Sequence, residues 1–261
     1  MRLTKKEISM IPKSFDIVGD ILIFSEFPKE LENKIKLIEK RILKIHKKVK
    51  VITTKSEKHS GKYRTKKVKI LAGEKRKETV HIESGIKIKL NIETCYFSPR
   101  LSNERLRIAK LTKKGESVLV MFSGIGIYPL VISKNSNPKE IYGIEINLKA
   151  HKYAEENIKL NKTNNIRLFK GDVRKVLPKI RKKFDRIIMP LPKEANKFLD
   201  LTYQKLKKDG IVHLYSFANE EEIKEIKVPK YFKILKIVKC GKFAPGVYRI
   251  CIDLKSVSTS K

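Results

Sequence analysis

Ser117-Val118-Leu119-Val120-Met121-Phe122-Ser123-Gly124-Ile125-Gly126 decides the fold of this 261-residue chain. Four consecutive apolar residues, Val118 to Met121, run into a turn of small residues, and a second apolar run, Ile127 to Ser133, follows. That is how a strand buried on both faces reads when it feeds a helix. The glycines let the backbone approach a ligand closely at the helix N-terminus. About twenty residues on, at the spacing of a nucleotide-binding βαβ unit, Ile141-Tyr142-Gly143-Ile144-Glu145 reads as a second buried strand closing on a carboxylate. In that geometry the carboxylate grips ribose hydroxyls. Ser-Gly-Ile-Gly alone is a weak signal, and the spaced Glu145 strengthens it.

Outward from this centre the strand–helix alternation continues. Strands are predicted at 117–121, 141–145, 166–169, 185–189 and 211–217, with helices near 127–134, 148–161, 173–182, 194–208 and 219–226. Such alternation gives a parallel sheet with helices on both faces. Two more strands, 231–238 and 247–253, joined through Gly241 and Pro245-Gly246, make a terminal hairpin. The layout resembles an α/β, Rossmann-like class I methyltransferase domain over residues 94–261 rather than a dehydrogenase.

Residues 1–93 read as a small α+β domain for RNA or substrate binding. Ile17-Val18 and Ile21 to Phe24 around Gly19-Asp20 predict a hairpin. Leu31, Ile35, Ile38, Ile42, Ile45 and Val49 form one apolar face of a helix from Leu31 to Val49. Val51 to Thr54 and Lys66 to Leu71 predict strands around a basic loop, Lys55 to Arg64, that carries His59, Gly61 and Tyr63. Phosphate or base contact and a merely solvated hairpin are equal readings of that loop. Ile86, Ile88, Leu90 and Ile92 alternate with polar residues as a half-buried strand does.

The formal charge is +33, from 61 Lys plus Arg against 28 Asp plus Glu. A field that positive favours polyanions, nucleic acid first and anionic membrane second, although a lysine-rich solvated surface accounts for part of it. Cys95, Cys240 and Cys251 form no C-x-x-C pair, which predicts neither a disulfide framework nor a zinc site. The five histidines (His46, His59, His81, His151 and His213) lack metal-ligand spacing, so no metal is expected. The longest apolar stretch is too short to span a membrane, and the first residues lack the apolar core of a signal peptide. A cytoplasmic monomer without membrane contact is the expectation.

Three further stretches carry chemistry. In Gly171-Asp172-Val173 a carboxylate can accept from an adenine amine, or simply cap the next helix. Met189-Pro190-Leu191-Pro192 ends the fourth strand in a stiff, extended turn. Pro190 offers no side-chain acceptor, which disfavours methylation of an exocyclic amine there. Tyr96-Phe97-Ser98-Pro99-Arg100-Leu101-Ser102-Asn103-Glu104-Arg105-Leu106-Arg107 sets aromatics beside arginines and one carboxylate. If helical, it puts Arg100, Glu104 and Arg107 on one face, either as a surface ion pair or as a group handling an anion and a proton.

These stretches together resemble the archaeal and eukaryotic tRNA (guanine-37-N1)-methyltransferases. The match runs through Tyr96 to Leu101 with Glu104-Arg105, Met121 to Gly126, Gly143 to Asn147, Gly171 to Arg174 and Asp185 to Pro192. Upstream it includes Ile11 to Asp16, Gly61 to Arg64 and Leu71 to Glu74. The resemblance implies S-adenosylmethionine as donor and guanosine 3′ of the anticodon of tRNA as acceptor. It implies Glu104 as the general base for the guanine N1 proton and Arg64 as the cation that steadies charge on O6. Tyr96, Arg105, Phe122, Ser123, Gly124, Gly126, Glu145, Ile146, Asp172, Val173 and Met189 would line the cofactor. Arg100, Pro190 and Pro192 would meet the substrate. Three departures stand out: Val120 replaces an acidic residue, Pro190-Leu191-Pro192 replaces Asn-Leu-Pro, and an extra N-terminal domain of some relatives has no room before Ile11. The Met-Pro-Leu-Pro form resembles archaeal relatives that also methylate a wyosine intermediate. The rival expectations are an aminocarboxypropyl transferase acting on the wyosine precursor and a basic RNA-binding protein without catalysis.

Overall fold

The computed structural model describes residues 2–56, 67–191 and 194–257. It divides into two units: Met1–Glu83 with Lys87–Pro99, and Ser84–Ile86 with Arg100–Lys261.

In the first unit, α1 (Lys5–Met10) opens on Thr4, whose hydroxyl accepts from Glu7 N while the Glu7 carboxylate accepts from Thr4 N. That reciprocal cap satisfies two otherwise orphaned amides. β1 (Phe15–Val18) and β2 (Ile21–Phe24) form the expected hairpin. The helix expected from Leu31 to Val49 is instead a 3-10 turn, Lys29–Lys34, followed by α2 (Ile35–Ile45). It stops early because the amides of Lys50 and Val51 turn to the Asp20 carbonyl, at 2.8 and 3.3 Å, to start the next strand. β3 (Val51–Lys55) pairs parallel to β2 and antiparallel to β4 (Val68–Gly73).

β5 (Glu78–Glu83) and β6 (Ile86–Asn91) form a separate two-stranded ribbon turning at Ser84-Gly85. The sequence concealed β5 because its polarity is inverted: Thr79 and Glu83 are buried, while Val80 and Ile82 are exposed. Its inward groups bond the β1–β2 turn. Thr79 Oγ1 donates to Asp20 Oδ1 at 2.7 Å, and Gly19 N donates to His81 Nδ1 at 3.1 Å. The Arg76 guanidinium, 2.9 Å from Asp20 Oδ1, holds the Asp20 carboxyl below its usual range.

The second unit begins with α3 (Ser102–Leu111) and then alternates: β7 (Ser117–Met121), α4 (Ile127–Asn135), β8 (Glu140–Glu145), α5 (Leu148–Leu160), β9 (Ile166–Lys170), α6 (Val173–Val176), β10 (Phe184–Met189), α7 (Leu199–Gln204), β11 (Leu206–Ala218) and α8 (Glu220–Lys224). β12 (Phe232–Ala244) and β13 (Val247–Ser256) close the chain as a hairpin. The sheet order is β12-β13-β11-β10-β7-β8-β9, with β11, β10, β7, β8 and β9 parallel and the last two strands antiparallel. The Rossmann-like expectation is met, and the chain order reverses at β7. Ligands bind at such a switch point, beyond the strand tips. Every residue of β7 is buried, as its unbroken apolar run required. The helix expected over 173–182 passes at Leu177 into a 3-10 turn, Leu177–Lys179, where Pro178 has no amide to donate. Among the described residues no helix is long and apolar enough to cross a membrane.

Gly19 has φ +58°, and a Cβ there would fall 2.2 Å from Thr79 Oγ1 and 2.5 Å from the Val80 carbonyl oxygen. Gly19→Ala is expected to destabilise the protein by about 2–4 kcal/mol, combining backbone strain with overpacking. Urea unfolding followed by far-UV circular dichroism measures it, and an unchanged midpoint would refute this account of the turn.

Candidate active site

Three of the features named from sequence meet at the tips of β7, β8 and β9. Beyond Met121 the chain turns sharply, with φ +60° at Phe122, +56° at Gly124 and +82° at Gly126. A Cβ on Gly126 would press on Ala154 Cβ at 3.2 Å, so this glycine lets α5 lie close to the turn. Phe122 carries the strain without being glycine, and its ring meets Phe198 edge-on at 5.1 Å. Strain of that kind, of order 1–3 kcal/mol, is held where a site needs the geometry.

The Glu145 carboxylate is buried, and each oxygen takes a backbone donor: Gly124 N to Oε2 and Asn147 N to Oε1, both 2.7 Å. Burial pushes this carboxyl up, and the backbone donors act against that. The Ile146 amide bears on the carboxylate as well, and of its about four acceptor positions the three amides leave one for a ligand hydroxyl. Ser123 Oγ is buried with no hydrogen-bond partner among the described residues, a second polar atom aimed at nothing the fold provides. A ribose-bearing cofactor fits this donor and acceptor set.

Asp172 follows β9 and caps α6, accepting from Arg174 N at 2.9 Å, while its other oxygen accepts from the Arg174 guanidinium at 3.2 Å. The capping reading of Asp172 is therefore the one its contacts show. That same guanidinium lies 5.6 Å from the Phe198 ring centroid, so Asp172, Arg174, Phe198 and Phe122 form one continuous wall. Val173 is buried, Ile146 half-buried, and Met189 fully buried with Thr202 Oγ1 donating to its Sδ at 3.4 Å. Only the backbone of Met189 is left at the strand end to meet a ligand.

Glu104 is not on a surface helix face. It is 5% exposed, and Arg107 grips it through Nε to Oε2 at 2.7 Å and through a terminal nitrogen to Oε1 at 2.8 Å. Tyr215 of β11 donates its hydroxyl to Oε1 at 2.7 Å. Of about four lone-pair positions on a carboxylate, these contacts take three and leave one on Oε2. Arg107 also reaches Asp253 of β13 at 2.7 Å. His213 Nδ1 lies 2.6 Å from Asp253 Oδ1, and its Nε2 faces the Arg186 guanidinium at 2.7 Å. Burial and the two guanidinium charges outweigh Asp253 and lower the His213 imidazole. A neutral ring that accepts from arginine at Nε2 must donate from Nδ1 to Asp253. Arg186 is anchored in turn by Glu116 at 2.7 Å. The result is a continuous hydrogen-bonded chain from Glu116 to Glu104, with one neutral imidazole among its charged groups.

His213 and Arg107 outweigh the burial of Asp253 and hold its carboxyl well below the usual range. Glu104 and Asp253 likewise hold the Arg107 guanidinium well above its ordinary value. His213, Cys251 and Asp253 bring their donor atoms within 4.8 Å of one another, but the contacts just described already engage the imidazole and carboxylate. Arg105 is buried on α3, and its charge opposes the burial that pushes the Tyr128 phenol upward. Arg100 is exposed, Pro190 is half-buried after β10, and Tyr96 is half-buried in the first unit. Arg64 and Pro192 lie outside the described residues.

The sequence reading missed Asp253, His213, Tyr215, Arg186 and Glu116. One signal was there: His213 and Asp253 are polar residues inside apolar runs, where a buried polar group needs a partner.

Residues 79–241 match the profile of the TRM5/TYW2 methyltransferase domain, and residues 1–76 that of the TYW2 N-terminal domain. The tRNA (guanine(37)-N(1))-methyltransferase Trm5b of Pyrococcus abyssi is 40% identical over 255 residues, which cover 94% of this chain and 75% of that protein. The tRNA(Phe) (4-demethylwyosine(37)-C(7)) aminocarboxypropyltransferase of Methanocaldococcus jannaschii is 35% identical over 249 residues, 91% of this chain and 96% of the other. Among solved structures, the complex of aTrm5 and tRNALeu superposes with a TM-score of 0.82 at 30% identity, covering 97% of this chain and 75% of that one. M. jannaschii TYW2 in complex with AdoMet gives 0.68 at 28% identity, covering 93% and 98%.

Arg107→Met removes the counter-charge from two carboxylates and is expected to destabilise the protein by about 3–5 kcal/mol at neutral pH. Asp253 stabilises the wild type above its unfolded value, and that contribution is lost as pH falls. The gap between variant and wild type should therefore narrow on acidification in parallel urea titrations. A gap that widens would contradict the ion chain.

Proposed function

The chain belongs to the TRM5/TYW2 methyltransferase family, and from that premise we propose that it methylates N1 of guanosine 37 in tRNA with S-adenosylmethionine as donor. The observation that carries the reading is Glu104: a buried carboxylate fixed on two sides, with one acceptor position left, in the unit that also holds the glycine turn and Glu145. Bound S-adenosylmethionine supplies an electrophilic methyl group on a sulfonium.

Guanine N1 carries a proton and is a poor nucleophile until it loses it. Glu104 takes that proton on Oε2, and Arg107 and Tyr215 keep the carboxylate from rotating as it does so. Removal of the proton sends negative charge toward O6, and Arg64 is the cation proposed to meet it. Glu145 accepts a ribose hydroxyl, Asp172 and Val173 flank the adenine, and Tyr96, Arg105, Phe122, Ser123, Gly124, Gly126, Ile146 and Met189 complete the cofactor site. Arg100, Pro190 and Pro192 approach the substrate. Val120 is fully buried in β7 and offers no polar group to the methionine end of the donor. A cytoplasmic monomer acting without a metal, on a small RNA-binding domain at 1–93 and a catalytic domain at 94–261, completes the proposal.

The TYW2-type N-terminal region favours one second reading, transfer to C7 of a wyosine intermediate, as a methyl or as an aminocarboxypropyl group. Purified protein and S-adenosylmethionine, given a tRNA transcript bearing G37 and in parallel a tRNA bearing the wyosine intermediate, separate the two. Methylation yields 1-methylguanosine and S-adenosylhomocysteine, whereas aminocarboxypropyl transfer yields methylthioadenosine.

Glu104→Gln is expected to lower methyl transfer by about 10²–10⁴-fold, the usual worth of a positioned base, with tRNA and donor affinities retained. Single-turnover transfer beside equilibrium binding measures both, and full activity would remove Glu104 from the mechanism. Arg64→Ala should slow the chemical step more than it weakens tRNA binding, since its proposed work is on transition-state charge. A loss confined to affinity would make Arg64 a phosphate contact.

A further inference from the structure

Three cross-strand pairs lie in register along β11 and β13: His213 with Asp253, Tyr215 with Cys251, and Phe217 with Arg249. Alternation along a strand puts all of them on one face of the sheet. The first pair steadies Arg107, and the second presents the Tyr215 hydroxyl to Glu104. The third lies outward of both. β10 ends at Met189, level with Leu214, so Phe217 stands on a part of β11 that reaches past the strand tips. Two residues of strand cover about 7 Å, which places Phe217 that far beyond Tyr215.

The chemistry at this outer step is aromatic and cationic. The rings of Phe217 and Phe243 stack with centroids 4.0 Å apart and planes 30° from parallel. The Arg249 guanidinium lies 5.4 Å from the Phe217 centroid, and Lys242 beside Phe243 is exposed. Phe243 is itself 55% exposed, an unusual position for a large ring that contributes no core. The pairing of β12 slips shortly before it, between Lys239 and Gly241, and again across it, between Lys242 and Ala244. Such bulges re-aim side chains and recur beside active sites.

We propose that Phe243, backed by Phe217 and flanked by Arg249 and Lys242, is a stacking platform for the unpaired nucleotide next to the guanosine being modified. The proposal rests on the tRNA reading above. Drawing the target purine to Glu104 takes it from its stack and leaves its neighbour without a partner. An exposed ring in a cationic surround replaces that partner for any base, because every base has a π-face. The +33 charge of the chain supplies the attraction to the phosphates on either side.

The test uses the full chain and a tRNA transcript with G37. Phe243→Ala should raise KM for tRNA about tenfold, the scale of one lost base stack, with KM for S-adenosylmethionine and kcat unchanged. Phe243→Trp should keep the wild-type KM, and Phe243→Leu, apolar but without a π-face, should behave like the alanine variant. The chain has no tryptophan, so Phe243→Trp also installs its sole indole, whose emission should be quenched on binding the transcript. An unchanged KM in Phe243→Ala, or rescue by leucine, overturns the platform while leaving the methyltransferase reading in place. A wild-type protein that neither binds nor methylates the transcript overturns both.

Discussion

The second unit depends on one electrostatic constraint: the Glu104 carboxylate is buried, and a guanidinium and a phenol hold both of its oxygens. Burying charge costs several kcal/mol per ion after relaxation, and only good geometry with further hydrogen bonds offsets it. Here the offset comes from Arg107, shared between Glu104 on its own helix and Asp253, 146 residues away on β13. Asp253 is itself held by His213, and His213 by Arg186. An apolar cluster of equal volume would hold α3 against the sheet at least as firmly. What it would not do is fix both oxygens of Glu104.

The other buried carboxylate of the site is handled in the opposite way. Glu145 has no cation among the contacts its carboxyl responds to, only backbone amides, and burial raises it. Asp253, beside a guanidinium and an imidazole, is driven down. Two environments in one unit thus push groups of the same chemical type in opposite directions. Glu145 needs a lone pair directed at a hydroxyl, and amide donors from the glycine turn aim it without neutralising it. The strain at Phe122 belongs to the same arrangement, since the turn that bends there delivers Gly124 N to Glu145 Oε2.

How much of this was legible in the sequence depends on whether a feature is local. β7, its glycine turn and the spacing to Glu145 are contiguous patterns, and the strand appears where its apolar run lies. β5 was invisible because its polar side chains face inward to Asp20 and Gly19, and alternation cannot say which phase is buried. The spacing of Glu104 and Arg107 put them on one helical face, but nothing local said that this face was interior. That followed from Tyr215 and Asp253, which reach the helix only through the sheet order. Asp172 shows the reverse case, where the plain helix-cap reading was readable from Gly171-Asp172-Val173 and is what the contacts display.

The terminal hairpin gives the sheet a shape that parallel strands alone would lack. A parallel strand must leave the sheet at its tip to begin a crossover, so the cofactor turns after β7, β8 and β9 all lie at one level. An antiparallel partner carries no such obligation, and β13 supports β11 for four residues past the level of Leu214. On the face that carries Glu104 this extension changes character stepwise: a hydrogen-bonded imidazole and carboxylate at His213 and Asp253, a phenol at Tyr215, then aromatic rings and a guanidinium at Phe217 and Arg249. Charge is innermost, where Asp253 meets Arg107, and ring surface is outermost, where Phe217 meets Phe243.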